Sequence, residues 1–420
     1  MKQILPSPFQ RKILIAISGG IAAYKICEVI STLAKAGAEV RAILTDSAQQ
    51  FITPLTIATL CRHHAYTDAD FWQPTHGRPL HIQLGEWAEL VVIAPITANT
   101  LAKIATGMAD NLLTNTILAS SCPVLLVPAM NRQMWQQNIV QQNWQNVLSH
   151  ERFHGMATVA GILACDLPLK EREDWQVGSG RMAEPKQILA HIESLLHTGG
   201  KRDLVGKRVL VSAGGTREHL DPVRFIGNPS TGKMGLAVAQ AAIHRGATVM
   251  FVHAPIKTEL LTLLPDEVEG VSVTSAEQMR QAMLERFSQA DITVMVAAVG
   301  DVQPAQYYDY KLSKGDLPTA IPLKQCADIL AELGKIKQPP QFLVGFAAQT
   351  GEILTPALQK LEAKNLDIIV ANPVDQVNAG FGSDTNTATL MNKRGKQVDF
   401  VGCSKLKLAH HLFDFIEIDN

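Results

Sequence analysis

Residues 13–25 read ILIAISGGIAAYK. An unbroken, largely β-branched apolar run ends in Ser18-Gly19-Gly20, and a helix-length stretch follows from Ile21 to Ala36. A short strand that is apolar on both faces belongs in a parallel sheet covered by helices. A Gly-rich turn at its carboxyl end, opening a helix, lets backbone N–H groups approach an anion closely. Working outward, AGAEVRAILT from Ala36 and ELVVIAP from Glu89 supply two more strands of the same plan. The plan then recurs in VLVSAGGTREHL from Val209, RGATVMFVHAP from Arg245 and DITVMVAAVGD from Asp291. The chain is therefore read as α/β, with two doubly wound, mostly parallel-sheet, Rossmann-like domains. Any two doubly wound domains share this pattern, so the repeat speaks for architecture and not for recent duplication. The boundary is expected where QILAHIESLL runs into the Gly- and charge-rich HTGGKRDLVGKR: a first domain over 1–195, a linker over 196–206 and a second domain over 207–420. An irregular stretch from Ala164 to Arg181, with the charge cluster KERED, reads as a functional flap or a disordered loop.

A chain of 420 residues is too long for one core. Lys plus Arg number 38 and Asp plus Glu 39, so the basic excess of a nucleic-acid or anionic-membrane binder is missing. No apolar run is long enough to span a bilayer, and MKQILPSPFQRK has no signal-peptide core. The six cysteines, at 27, 61, 122, 165, 326 and 403, form no C-x-x-C pair. That suits a reduced, cytoplasmic setting and argues against a zinc site or a disulfide framework.

The Ser18-Gly19-Gly20 turn is not the dinucleotide fingerprint. Ala22-Ala23 occupy the place of further glycines, and strand two ends at Leu44-Thr45 without an acidic ribose ligand. A single phosphate fits better than a pyrophosphate, so FMN is favoured over NAD. APITANTLAKIATGMADNLL (94–113) places Thr97, Asn99 and Thr100 at a strand end, where they serve a flavin's ribityl chain or simply cap the next helix. PAMNRQMW (128–135) puts Asn131 past another strand end, to grip a carboxylate or to cap.

SGGIAAYK, LHIQLGEWAEL, APITANTLAK, PAMNRQMW and the ACD…GSGRM segment together resemble the flavin-dependent cysteine decarboxylase family, over roughly residues 10–190. The resemblance implies a flavodoxin-like fold that acts on phosphopantothenoylcysteine. Loss of CO₂ from a cysteine carboxylate leaves a carbanion without an electron sink; oxidation of the thiol to a thioaldehyde first supplies one, and FMN takes those electrons. Carried over by position, His81 in LHIQLGEWAEL serves oxidation or decarboxylation, Asn131 binds the substrate carboxylate, and Cys165 donates the final proton. Ser18, Gly19, Gly20, Thr45, Thr97, Asn99 and Thr100 make up the expected flavin set. The flap departs from the family pattern: Asp166 replaces Gly, and the loop ACDLPLKEREDWQVGSGRM is longer and charged.

In the second half, GNPSTGKMG (227–235) is almost a Walker A motif, but Met234 stands where the magnesium-binding hydroxyl belongs, and the nearest clear strand lies well upstream. SAGGTREHLDPVRFIGNPSTGKMG instead resembles the phosphopantothenate–cysteine ligase family, as do AAVGDVQPAQYYDYKLSK, VGFAAQTGE, KNLDIIVAN and GFGSDTN, over roughly 206–415. The two families fused in this order resemble the bifunctional enzymes of coenzyme A biosynthesis. The resemblance implies that 4′-phosphopantothenate is joined to CTP as an acyl-cytidylate, which cysteine's amine then attacks, with Mg²⁺ accompanying the triphosphate. Asn228 handles that intermediate and Lys311 is needed to form it. Ala297, Ala298, Val299, Asp301, Phe346, Lys360 and Lys364 match nucleotide-contacting positions, as do Ala327, Asp328, Ile329 and Leu330; Gln349 replaces the family's Glu. No metal ligand is identified. The resemblance further implies trimeric flavin domains and dimeric ligase domains, hence a closed homo-oligomer up to a dodecamer. Two rivals are a nicotinamide-dependent reductase, whose acidic residue and glycines are missing, and an active ligase fused to an impaired or regulatory flavin domain.

Overall fold

A computed structural model describes residues 10–73, 77–161, 178–265, 267–375 and 382–416. The chain forms two compact units, one running to Lys201 and the other from Arg202 onward.

In the first unit, strands β1 (Lys12–Ile17), β2 (Glu39–Leu44), β3 (Ala65–Tyr66), β4 (Leu90–Ile96), β5 (Val124–Pro128) and β6 (Phe153–Gly155) form one sheet in the order β3-β2-β1-β4-β5-β6. Every pairing in it is parallel. With the two-residue β3 set aside, the other five strands run in the flavodoxin-like order. The reason for the unbroken apolar run of β1 is visible here. Ile13, Ile15 and Ile17 point into one core, and Leu14 and Ala16 into the other. The first core is closed by helix Ala23–Lys35 through Ala23, Ile26, Val29, Ile30 and Leu33, with Ile188 and Ile192 of helix Pro185–Thr198. The second is closed by helices Leu80–Trp87, Ala98–Thr106, Leu112–Ala119 and Asn138–Leu148. Strands β7 (Val159–Gly161) and β8 (Gly178–Arg181) pair antiparallel as a separate two-stranded sheet.

In the second unit, β9 (Arg208–Ala213), β12 (Thr248–His253), β13 (Glu269–Ser272), β14 (Ile292–Met295), β17 (Phe342–Gln349), β18 (Ile368–Pro373), β19 (Thr385–Asn392) and β20 (Gln397–Ser404) form a sheet ordered β13-β12-β9-β14-β17-β18-β19-β20. Its first six strands are parallel and the last two antiparallel. Two hairpins, β10 (Arg217–His219) with β11 (Phe225–Gly227) and β15 (Val302–Pro304) with β16 (Leu323–Gln325), make separate two-stranded sheets. The two Gly-Ala repeats do the same job. Gly37 and Gly246 sit at φ +96° and +91°, and the following alanines donate to Leu33 and Ala242, each at 3.0 Å, ending the helix.

Both sheets reverse winding direction between their first and fourth strands, β1/β4 and β9/β14. Ligand crevices of open α/β sheets lie at such switch points, past the carboxyl ends of the strands. Among the described residues no helix is long and apolar enough to cross a membrane.

Candidate functional site

At the first switch point the hydroxyl of Ser18, 1% exposed, donates to the carbonyl of Pro95 at 2.7 Å and accepts from the N–H of Thr97 at 3.0 Å. It bolts the end of β1 to the end of β4. Thr97 caps helix Ala98–Thr106 by accepting from the N–H of Thr100, and its hydroxyl donates to that of Thr100. Ser18, Thr97 and Thr100 are thus brought together, largely as a lock. Asn99 is exposed on the first turn of the helix, and Thr45 at the end of β2 accepts from the N–H of Ala48.

The two glycines of the turn have different duties. A Cβ on Gly19 would lie 2.3 Å from Ser47 Cβ and 2.8 Å from its carbonyl carbon. A Cβ on Gly20 would meet nothing nearer than Pro95 at 3.9 Å, so protein atoms leave that space open. A ligand phosphate approaching the turn would fill it. Gly19→Ala is therefore expected to destabilise the first unit by about 1–3 kcal/mol through overpacking. Gly20→Ala is expected to keep the thermal midpoint and to lose most flavin, read as the absorbance ratio of flavin to protein. Flavin retained at wild-type level in Gly20→Ala would show that the turn is not the phosphate cradle.

Asn131 caps the short helix Arg132–Trp135, its Oδ1 accepting from the N–H of Gln133 at 2.8 Å. Its Nδ2 has no partner among the described residues and is exposed. Gly180, at φ +142°, runs so close that a Cβ there would sit 2.5 Å from the carbonyl of Met130, whose N–H bonds Gly180 at 3.0 Å. The GSGR segment is thereby anchored beside the Asn131 loop. His81 lies on helix Leu80–Trp87, held edge-on to Phe71 with ring centroids 5.5 Å apart. Its Nδ1 is buried without a hydrogen-bond partner. Four residues on, Gly85 lets the helix backbone approach Ala119, where a Cβ would meet the carbonyl at 3.0 Å. No described contact joins His81 to Asn131 or to the Ser18 turn. Cys165 and Asp166 lie outside the described residues. The open space at Gly20, the free Nδ2 of Asn131 and the orphaned Nδ1 of His81 suit a phosphate-bearing flavin and an anionic substrate.

At the second switch point lies a cleft of about 600 Å³. Its floor is made where two strand ends are laced together. Ser212 Oγ accepts from the N–H groups of Val296 and Ala297 at 3.1 Å. Ala298 donates to the carbonyl of Gly214 at 2.8 Å, and Thr216 Oγ1 accepts from Gly300 at 2.9 Å. Asn228 leans over this floor, its Nδ2 3.4 Å from the carbonyl of Val299. Hairpin β15–β16 brings Cys326 N–H to the carbonyl of Asp301 at 2.9 Å, which sets Ala327, Asp328, Ile329 and Leu330 on the rim. Phe346 and Lys364 complete that side. Asp328 caps helix Ile329–Ile336 and pairs with Lys364 at 2.8 Å. Partial burial pushes its carboxyl pKa up, but the Lys364 hydrogen bond, the Ala331 N–H and the charges of Lys364 and Lys360 outweigh it and hold it below the usual range. A Cβ on Gly334 would lie 2.0 Å from the carbonyl of Lys364, so only glycine lets that helix rest on the lysine's backbone.

Thirteen site residues were expected here. Ala297, Ala298, Val299, Asp301, Ala327, Asp328, Ile329, Leu330, Phe346, Lys364 and Asn228 line the cleft. Lys360 does not; it acts on Asp328 through its charge. Lys311 does not either; it is exposed, on a segment hung from the hairpin β10–β11 by its neighbour Leu312. The cleft also contains lysines that the motifs did not single out. Lys233 opens helix Lys233–His244 and bonds Asp384 at 2.6 Å, and Lys405 opens helix Lys405–Phe415. Rejecting a Walker A reading of GNPSTGKMG discarded Lys233 with it. Nothing local in SKLKLAHH marks Lys405.

Residues 7–197 match the family described as Flavoprotein, and residues 204–418 match the DNA/pantothenate metabolism flavoprotein C-terminal domain. The coenzyme A biosynthesis bifunctional protein CoaBC of Bacillus subtilis (strain 168) is 41% identical over 406 residues, covering 97% of this chain and 96% of that protein. The chain belongs to the CoaBC family. The CoaBC protein of Haemophilus influenzae is 38% identical over 407 residues, covering 97% of each chain. The crystal structure of the C-terminal domain of a CoaBC protein is 36% identical and covers 52% of this chain and 97% of that one, at a TM-score of 0.43. As a CoaBC chain this protein has a flavoprotein domain ahead of its second α/β unit, and both switch-point sites fall within the matched regions.

Proposed function

We propose that this chain performs two consecutive steps of coenzyme A biosynthesis: CTP-dependent ligation of cysteine to 4′-phosphopantothenate, then FMN-dependent decarboxylation of phosphopantothenoylcysteine to 4′-phosphopantetheine. The observation that carries the reading is the second cleft, where Asn228, Ala297–Asp301, Ala327–Leu330 and Phe346 converge from four separate stretches of chain.

In the ligation a carboxylate oxygen of phosphopantothenate attacks the α-phosphorus of CTP, and the bond to pyrophosphate breaks. Cysteine's amine then attacks the acyl carbon, CMP leaves, and the amine gives up a proton. Charge develops at phosphate and acyl oxygens in both steps, so fixed donors and cations contribute most. The Nδ2 of Asn228 and the N–H groups at the start of helix Lys233–His244 are such donors. Lys311 supplies a cation from its exposed segment, and Lys360 with Lys364 sets the charge around Asp328. Mg²⁺ is the counter-ion expected with CTP.

Bound FMN supplies a reversible two-electron acceptor, which makes loss of CO₂ from the cysteine moiety feasible. Ser18, Thr97 and Thr100 fix the strand ends that face it; Gly19, Gly20, Thr45 and Asn99 surround the same edge. Asn131 holds the substrate carboxylate with its Nδ2, and His81 holds or moves a proton at its ring. Cys165 delivers the last proton. Flavin units gathered in threes and ligase units in pairs give a closed cytoplasmic homo-oligomer.

The test is mass spectrometry of the product after incubation with 4′-phosphopantothenate, cysteine, CTP and Mg²⁺. Phosphopantetheine is expected. Phosphopantothenoylcysteine accumulating instead would remove the decarboxylase half of the proposal, and untouched CTP would remove the ligase half.

A further inference from the structure

Lys405 follows β20 directly and lines the second cleft. It is only 8% exposed, and its Nζ donates one hydrogen bond, to the carbonyl of Thr385 at 3.1 Å. Asp384, the acidic group whose charge it feels, is 89% exposed and bonds Lys233 instead. Among the described residues no carboxylate pairs with Lys405. An ammonium carries three donors, and a buried one without an anion is strongly unfavourable. Burial, and then the charge of Lys233, push its pKa below the ordinary lysine value, the direction expected for a cation awaiting a partner.

A second feature of the same cleft points to the same ligand. Helix Lys233–His244 directs its first turn at it from Gly232, which takes φ +76°. Gly235 packs that turn against the end of β9, where a Cβ would lie 2.6 Å from Ala213 Cβ. Twelve residues of aligned peptide dipoles therefore face the space that Lys405 enters from the opposite end of the chain.

We propose that Lys405 anchors a phosphate group of a substrate, together with Lys233 and the N–H groups that open helix Lys233–His244. Two sources carry such oxygens, the triphosphate tail of the nucleotide and the 4′-phosphate of phosphopantothenate. Which of them Lys405 holds rests on the ligase reading; that it holds a phosphate does not.

The experiment titrates full-length wild-type and Lys405→Met chains with inorganic pyrophosphate by calorimetry, and measures KM for CTP and for 4′-phosphopantothenate separately. Met keeps the length of the side chain and removes its charge. The variant is expected to bind pyrophosphate about 10- to 100-fold more weakly, the span of one charge-assisted hydrogen bond. Its ligand-free thermal midpoint is expected to be equal or higher, because an unpaired buried charge has been replaced by an apolar group. A purely structural lysine would move the midpoint the other way. A raised KM for CTP alone assigns the triphosphate; a raised KM for phosphopantothenate alone assigns the 4′-phosphate. Unchanged pyrophosphate affinity in a folded Met variant overturns the proposal. Should the Met variant melt early, Lys405→Arg decides: a folded Arg variant that still binds pyrophosphate supports the anchor, and one that binds none overturns it. Wild-type chain that binds pyrophosphate through Lys405 but never consumes CTP would sink the ligase reading and keep the anchor.

Discussion

Asn131→Asp is expected to fold with an unchanged thermal midpoint and to decarboxylate phosphopantothenoylcysteine about 10²- to 10³-fold more slowly. The substitution separates two duties of one side chain. Oδ1 of Asn131 caps helix Arg132–Trp135 through the N–H of Gln133, and aspartate caps as well as asparagine. Nδ2 has no partner among the described residues, and aspartate replaces it with an oxygen. In the proposed role, a donor to the substrate carboxylate becomes an acceptor of like charge, which removes a charge-assisted hydrogen bond and adds repulsion. CO₂ release from preformed phosphopantothenoylcysteine measures the loss without involving the second unit. Wild-type release from Asn131→Asp would mean that the residue is a cap and nothing more. Asn131→Ala makes the complementary cut, removing both donor and cap, with about 0.5–2 kcal/mol of local stability lost in addition.

Asp221→Asn should abolish ligation while leaving decarboxylation of preformed substrate intact. Asp221 is fully buried and accepts from the N–H groups of Val223 at 2.8 Å, Arg224 at 2.7 Å and Leu312 at 3.3 Å. It also pairs with the Arg224 guanidinium at 2.7 Å, and that same group bonds the carbonyl of Leu312. Asp221 and Arg224 together fasten the segment that carries Lys311 to the hairpin β10–β11. An asparagine here turns an N–H group toward donors, and because each carboxylate oxygen accepts from two of them, two contacts reverse sign. Burial raises the Asp221 pKa, but the three N–H groups and the Arg224 hydrogen bond more than compensate, and the carboxyl titrates below its ordinary value. A carboxylate with a depressed folded-state pKa stabilises fully above its unfolded value of about 3.9, and the contribution is lost as pH falls through the lower folded value. Thermal melts of wild-type protein should therefore weaken as pH drops below about 4, and the Asp221→Asn chain should show a shallower acid dependence. Equal acid profiles in the two chains, or full ligation by Asp221→Asn, would discard this role.

Much of the architecture was legible because it rests on local pattern. The apolar run of β1 had to be covered on both faces, and its residues do alternate between two cores. The Gly-Ala pairs at 37–38 and 246–247 end helices ahead of strands, with positive φ at both glycines. The helix after the first turn begins at Ala23 and not at Ile21, because Gly20 and Ala22 carbonyls accept in tight turns from Ala23 and Lys25 and leave Ile21 exposed. The antiparallel pair β19–β20 carried no such signal within the parallel plan. Thr97 and Asn131 were ambiguous between cap and ligand in the sequence. In the structure both cap, and only for Asn131 is a donor group left over.

By itself the sequence determined two doubly wound units and the turns that end their strands. These follow from side-chain periodicity and from backbone angles that only glycine takes easily, both readable over a few residues. Only the tertiary structure decided which glycine of the Ser18-Gly19-Gly20 turn is packed and which is open, that Asp221 holds the Lys311 segment, and that Lys360 stands off the cleft. It alone revealed that Lys405, far along the chain from GNPSTGKMG, is a buried cation beside Lys233. Burial and charge pairing depend on what arrives from elsewhere in the chain, and no local pattern of residues encodes that.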